Sequence, residues 1–249
     1  MAIVTGAGSG IGAATAVALA REGAAVACVD IDEDSAQATA ACLVEAGSMA
    51  LAVQADVSNE ADTERMARST VDRFGQIDVL HNNAGVGVYG AAHELTLDEW
   101  NRSLAVNLTG VFLGSRAVLP QMLRQSSGCI INTCSTFATV GAPALAAYHA
   151  AKGGVRALTI SMARDYSPDI RVNSISPGVT DTPLARRTPD GAPASARVND
   201  AITASHRLMK RRALPAEIAT AVVFLACDDS SFVTGHDLVL GGGHGVVAF

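Results

Sequence analysis

The stretch Ala2-Ile3-Val4-Thr5-Gly6-Ala7-Gly8-Ser9-Gly10-Ile11-Gly12 decides the architecture. Ala2 to Thr5 reads as a short buried strand, and a helical pattern runs from Ala13 to Glu22. Strand, glycine loop and helix in that order present backbone N–H groups and the positive end of a helix to a phosphate. Glycines are required because a side chain would block close approach of a pyrophosphate. The spacing is Thr-Gly-x-x-x-Gly-x-Gly, with glycines at 6, 10 and 12. A glycine-rich turn alone says less, since any tight turn uses glycine.

The next unit adds to it. Ala24 to Val29 is an apolar strand ending in Asp30, about 20 residues past the loop, where an acid accepts from ribose hydroxyls. An acid there repels a 2′-phosphate, which favours NAD over NADP. The competing role, capping the helix that begins near Glu33, suits Asp32 better. Further on, helix (Asp34 to Ala46) alternates with strand (Met49 to Gln54, ending in Asp56-Val57). The helix Glu60 to Phe74 leads to the strand Ile77 to Leu80 and then to Asn82-Asn83-Ala84-Gly85. Such alternation predicts right-handed crossovers and a parallel sheet covered on both faces.

After Glu99 a helix is expected through about Arg124, with Asn107, a poor interior helix residue, inside it. The apolar strand Cys129 to Thr133 precedes Ser135, and the helix Ala146 to Arg164 carries Tyr148 and Lys152 four residues apart, on one face. An ammonium beside a phenol favours the phenolate and lowers its pKa from about 10, which suits the phenol to proton transfer near neutral pH. A sixth strand, Ile170 to Ile175, runs into Ser176-Pro177-Gly178-Val179-Thr180-Asp181-Thr182. Residues 183–212 break this rhythm with Pro183, Pro189, Gly191 and Pro193, and read as a lid with a helical part from Val198 to Met209. Pro215 opens a last helix through Ala226. Val233 to Leu240 is the final strand before Gly241-Gly242-Gly243. One domain, 1–249, is expected, containing the lid.

Composition narrows the class. The chain has 249 residues, 49% of them hydrophobic, enough for a sizeable core, and its net charge of −6 argues against a nucleic-acid surface. Five cysteines without a C-x-x-C pair suggest reduced thiols in a cytoplasmic protein. Neither a signal peptide nor an apolar run of membrane-spanning length is expected. His206, His236 and His244 show no metal-ligand spacing, so no metal is expected. His149 reads as a packing or subunit-contact residue, and His81 as a core or sheet-edge one.

Taken together, these motifs resemble the short-chain dehydrogenase/reductase family over essentially the whole length. Thr5 to Gly12 is similar to the family's cofactor-phosphate loop, Asp56-Val57 to its adenine-side contact, and Asn82-Asn83-Ala84-Gly85 to its sheet-stabilising motif. Asn107, Ser135, Tyr148 and Lys152 match its catalytic tetrad, and Pro177-Gly178 through Thr182 its nicotinamide-carboxamide segment. The resemblance implies a doubly wound α/β Rossmann fold of about seven parallel strands, flanked by helices on both faces. It also implies an NAD-dependent oxidoreductase interconverting a small uncharged secondary alcohol and its ketone.

The cofactor-binding set implied is Gly6, Ser9, Gly10, Ile11, Gly12, Asp30, Ile31, Asp56, Val57, Asn83, Ala84, Gly85, Tyr148, Lys152, Pro177, Gly178, Val179 and Thr182. Substrate walls are expected from Val86 to Tyr89, Thr136 to Leu145 and the lid: Val86, Val88, Phe137, Val140, Leu145 and Leu184. By the same resemblance Asn107 anchors a water leading from Lys152 to solvent, and the protein is a homotetramer built on its long helices. Two departures are an N-terminus that begins a few residues late against the family pattern, so that a short first strand is expected, and Leu240-Gly241-Gly242-Gly243 in place of Asp-Gly-Gly. Two other readings stay open: an NADPH-dependent 3-oxoacyl-type reductase, which the arginines at 186–187 and 211–212 would serve, and a catalytically silent NAD-binding module.

Overall fold

The computed structural model describes residues 1–186 and 208–244. Its centre is one parallel sheet of seven strands: β1 (Ala2–Thr5), β2 (Val26–Asp30), β3 (Ala50–Gln54), β4 (Val79–Asn82), β5 (Gly128–Thr133), β6 (Ile170–Pro177) and β7 (Asp237–Leu240). The spatial order is β3-β2-β1-β4-β5-β6-β7, so the winding reverses between β1 and β4. In open α/β sheets the crevice at such a switch point, outside the carboxyl ends of the strands, is where ligands bind.

The strands are apolar on both faces, as parallel strands must be when helices cover both sides. Val4, Cys28, Val79, Ile131 and Ile175 face one layer, made by α1 (Gly10–Arg21), α2 (Glu33–Glu45) and α7 (Pro215–Ala226). Ile3, Ala27, Leu80, Ile130 and Val172 face the other, made by α3 (Glu60–Phe74), α5 (Gly110–Gln125) and α6 (Ala146–Tyr166). The two-residue alternation of a strand sorts them.

Three elements differ from expectation. The expected helix from Glu99 to Arg124 is α4 (Leu97–Leu104) and α5 joined by a π-helical turn, Ala105–Thr109. Strand β4 lies two residues later than expected. Ile77 is buried, but its amide and carbonyl bond the Gln125 side chain instead of a strand, while Asn82 pairs with Asn132 of β5. Strand β7 is shorter, because Gly235, with φ +69°, turns the chain just before it. The expected helical part of the lid, Val198 to Met209, falls largely outside the described residues, as do Arg187, Pro189, Gly191, Pro193 and His206.

Candidate active site

A cavity of about 1090 Å³ opens at the carboxyl ends of the strands. It reaches from Asp30 and Asp56, past the glycine loop, to Ser135, Tyr148 and Lys152. At the loop, Gly6 holds φ +64°, a backbone conformation that disfavours a side chain. A Cβ on Gly12 would lie 2.0 Å from the Gly6 carbonyl oxygen, so α1 seats on the loop only without one. Gly6, Ser9, Gly10 and Ile11 line the cavity, whereas Gly12 does not: it packs the helix against the loop. Ser9, the N-cap of α1, makes no side-chain cap bond, which leaves the helix start facing the cavity with unclaimed donors. A glycine cradle with those donors fits a pyrophosphate.

One end of the cavity is built around Asp30, at the tip of β2. Its carboxylate accepts from the Gly8 amide at 2.8 Å and the Asp32 amide at 3.1 Å, and it borders the cavity beside exposed Ile31. Helix α2 is capped by Asp32, which accepts from Ser35 N, so Asp30 is not used as a cap. Asp56 Oδ1 accepts from the amide and hydroxyl of Ser58, and Asp56 and Val57 line the same wall. The end of β4 is tied to the loop: Asn83 and Ala84 amides donate to Thr5 Oγ1, and Asn83 Nδ2 donates to the Thr5 carbonyl. Asn83, Ala84, Gly85, Pro177, Gly178, Val179 and Thr182 all border the cavity.

Ser135 follows β5, and its Oγ accepts from Phe137 N at 3.1 Å. Tyr148, in the first turn of α6, has its phenol against Ser135. Part of the ring stays accessible, yet burial around the hydroxyl raises the phenol to about 12, against a smaller lowering by the Ser135 hydrogen bond. Lys152 is buried one turn on. Its Nζ donates to the Thr133 carbonyl at 2.7 Å and sits 5.7 Å from the Tyr148 ring centroid. Burial brings the ammonium down to about 8. The expectation of a Tyr148 pKa below the usual phenol value is therefore corrected for the protein alone. The ammonium is drawn to a carbonyl beneath the ring, and desolvation of the phenol dominates.

Asn107 is fully buried on the π-helical turn. Its Oδ1 accepts from Val86 N and its Nδ2 donates to Val86 O, both at 3.0 Å, so its side chain pins Val86 at the cavity wall. A π turn widens the helix locally and often marks a functional site. Val86, Phe137, Leu145 and Leu184 line the cavity. Val88 and Val140 do not, which corrects their assignment. Val88 is 7% exposed and packs inward, leaving Tyr89 to face the space. Val140 closes the turn begun at Thr136, so Phe137 takes the inward position. The two walls are joined where Gly90 N donates to Ala144 O at 2.9 Å.

Arg102 and His244 also line the cavity and were not foreseen. His244 approaches Thr136 Oγ1 at 2.9 Å and sets its ring edge-on to Phe137, at 5.3 Å and 85°. That placement depends on the chain returning from β7, for which no local pattern exists. His149 accepts from Ala142 N and flanks Phe137 from the other side, a packing role. Of the arginines considered for an anionic substrate, Arg187 lies outside the described residues and the other three have carboxylate partners. Arg186 is bidentate on Asp181 and Arg211 on Glu217, while Arg212 reaches Asp181 at 4.0 Å. Among the described residues no cluster of His, Cys, Asp or Glu is placed to hold a metal, and no helix is long and apolar enough to cross a membrane.

Comparison with known proteins places this geometry. A family model described as Enoyl-(Acyl carrier protein) reductase matches residues 6–244. Cyclopentanol dehydrogenase of Comamonas testosteroni is 40% identical over 199 residues, covering 80% of this chain and 78% of that protein. Meso-2,3-butanediol dehydrogenase of Serratia marcescens is 38% identical over 195 residues, 78% of this chain and 74% of that one. Among solved structures, levodione reductase superposes with a TM-score of 0.91 at 36% identity, covering 97% and 96% of the two chains. NAD+-bound xylitol dehydrogenase gives 0.88 at 36% identity, covering 97% of each.

Proposed function

This chain belongs to the short-chain dehydrogenase/reductase family and interconverts a secondary alcohol and its ketone with a nicotinamide coenzyme; within that activity we propose that NAD is the coenzyme and that Asn107, Ser135, Tyr148 and Lys152 carry the chemistry. The observation that carries the reading is the meeting of Ser135, Tyr148 and Lys152 in one cavity with the glycine loop and Asp30.

Ser135 Oγ donates to the substrate oxygen and orients it, so that charge developing there meets a fixed dipole. Tyr148 Oη takes the hydroxyl proton in oxidation and returns it in reduction. Its raised pKa makes the resting phenol an acid ready for the reductive direction. The coenzyme supplies the redox partner for the substrate carbon and, when oxidised, a positive charge that favours the phenolate. Lys152 holds the ribose hydroxyls and keeps a cation under the phenol. Asn107 positions the wall at Val86 and, with Lys152, leads the proton outward. Gly6, Ser9, Gly10 and Ile11 hold the pyrophosphate. Asp30 holds the ribose, and Pro177 through Thr182 the carboxamide.

The wall formed by Val86, Phe137, Leu145 and Leu184 is apolar, which suits a small uncharged substrate. Against a 3-oxoacyl-type reductase stands Asp30, a carboxylate at the cavity edge that would repel a 2′-phosphate on the ribose it would hold. The described arginines offered for an acyl carrier are already matched by Asp181 and Glu217.

We read the chain as one domain with residues 183–212 as its lid, assembled as a cytoplasmic homotetramer. Exposed Phe112 on α5 and Ile160 on α6 support contact between copies through those helices. An initial-rate screen of secondary alcohols with NAD and then NADP tests the reading. Turnover with a clear NAD preference is expected. A preference for NADP would overturn the role given to Asp30, and sedimentation as a monomer would overturn the assembly.

A further inference from the structure

His81 is a fully buried histidine in β4, yet it has no acidic partner. It shares the α1 side of the sheet with Val79, since alternate residues of a strand face the same way. Its Nε2 lies 2.9 Å from Thr133 Oγ1 on β5. Its Nδ1 is buried without a hydrogen-bond partner, one of two such side-chain atoms among the described residues, the other being Thr15 Oγ1 on α1. An orphaned buried polar atom in a native structure calls for a reason.

The tautomer follows from the neighbours. Thr133 Oγ1 donates to Asn83 Oδ1 at 3.5 Å, so its lone pairs are what it offers the imidazole, and Nε2 carries the proton. Nδ1 is then a bare acceptor, which costs less in the interior than a buried N–H with no partner. Thr133 is thus held from two sides, by His81 and by Asn83, which is itself tied to Thr5 of the glycine loop. The main-chain carbonyl of the same Thr133 receives Lys152 Nζ at 2.7 Å. Among described groups, Lys152 is the charge that bears on His81, and it arrives from α6. Burial and that charge hold the imidazole down to about 3, so it stays neutral where the enzyme works.

We propose that His81 is a positioning residue for the reaction: through Thr133 it fixes the carbonyl that holds the Lys152 ammonium beneath Tyr148. This rests on the catalytic roles given above to Lys152 and Tyr148. A neutral donor serves where an arginine or lysine could not, because a second cation would repel Lys152. An apolar residue would fill the space but leave the Thr133 hydroxyl held only by its 3.5 Å bond to Asn83. Losing the fixed acceptor disfavours the charged amine, and a weaker cation beneath the phenol disfavours the phenolate.

The chain contains two lysines, Lys152 and Lys210, so the Lys152 amine can be followed by ¹³C NMR of lysine-labelled protein, with Lys210→Met fixing the assignment. In His81→Leu the Lys152 titration is expected to fall by at least half a pH unit. The rising limb of the pH–kcat profile for alcohol oxidation should move to higher pH, and kcat should drop about tenfold with coenzyme Kd changed less than threefold. Thr133→Val should reproduce this, the double variant should be no worse than either single one, and His81→Gln should recover most of the loss. A purely structural role would lower the unfolding midpoint while leaving the Lys152 titration and the pH limb where they are, and that result overturns the proposal. So does multiplication of the two single effects. Should the variants not fold, ¹⁵N NMR of the wild-type imidazole decides: a neutral ring with its proton on Nε2 is expected, and a proton on Nδ1 or a charged ring at pH 6 refutes it. The NMR arms need no turnover, so a wild type that oxidised no alcohol would sink the catalytic reading without touching them.

Discussion

Replacing Lys152 by methionine should abolish the reaction while making the coenzyme-free protein more stable at neutral pH. The ammonium is 2% exposed, and its contact is a carbonyl at 2.7 Å, not a carboxylate. Burial moves its pKa from 10.5 to about 8. Each pKa unit is worth 1.36 kcal/mol, so carrying the charge at pH 7 costs the folded state about 3 kcal/mol. Methionine keeps the volume and removes that cost, but it leaves the Thr133 carbonyl without its donor, a loss of about 1–2 kcal/mol. The net is a gain of about 1–2 kcal/mol, or a rise in unfolding midpoint of about 2–8 °C for a chain this long.

The size of that gain depends on pH. The folded pKa of Lys152 lies below its unfolded value, so between about pH 8 and 10.5 the unfolded chain binds more protons, and wild-type stability rises with pH. Urea unfolding of both proteins, free of coenzyme and at equal concentration, should therefore show the advantage of Lys152→Met shrinking from pH 7 to pH 9.5. A variant less stable than wild type by the same margin at both pH values would refute the reasoning.

Tyr148→Phe should lose at least about three orders of magnitude in kcat, within the range of acid–base catalysis by a positioned group, while reduced coenzyme still binds as judged by its fluorescence. Gly12→Ala forces a Cβ to 2.0 Å from the Gly6 carbonyl; the loop must shift, at a cost of about 2–3 kcal/mol in unfolding free energy and about tenfold or more in coenzyme Kd, measured by titration calorimetry. Asn107→Ala frees both backbone groups of Val86 and should raise KM for the alcohol more than Kd for the coenzyme, with about 2 kcal/mol lost in stability.

The winding of strands and helices, the glycine loop and the four-residue spacing of Tyr148 and Lys152 are local patterns, and they were legible in the chain. The place of Asp30 at the cavity edge, free of a capping task, was legible as well, because Asp32 two residues on is the better-placed cap. What escaped depends on distant neighbours. The sign of the Tyr148 shift is set by desolvation, which no spacing reports. The π turn at Ala105–Thr109 lies within an unbroken helical pattern, and Asn107 was noticed for its poor propensity but not for the backbone it holds. Val88 and Val140 have the right chemistry for a wall. Their direction depends on how two loops pack, and that is decided where Gly90 meets Ala144.

The short parallel bridge between Thr180 and Ala213 bears on how this fold can be altered. Ala213 N donates to Val179 O, Asp181 N donates to Ala213 O, and Arg212 adds an ion pair to Asp181, so the chain is stitched together where it leaves the sheet and where it returns. Loop closure is thereby settled at the stem, and doubling the number of residues between the stitches costs only about 0.6 kcal/mol. A segment of another length or composition can be grafted between them without moving Ser135, Tyr148 or Lys152, which stand on β5 and α6. On the lid proposed above, the stem divides a segment that can be rewritten from the strands and helices that carry Ser135, Tyr148 and Lys152, and a designer, or a lineage, can vary the first while inheriting the second.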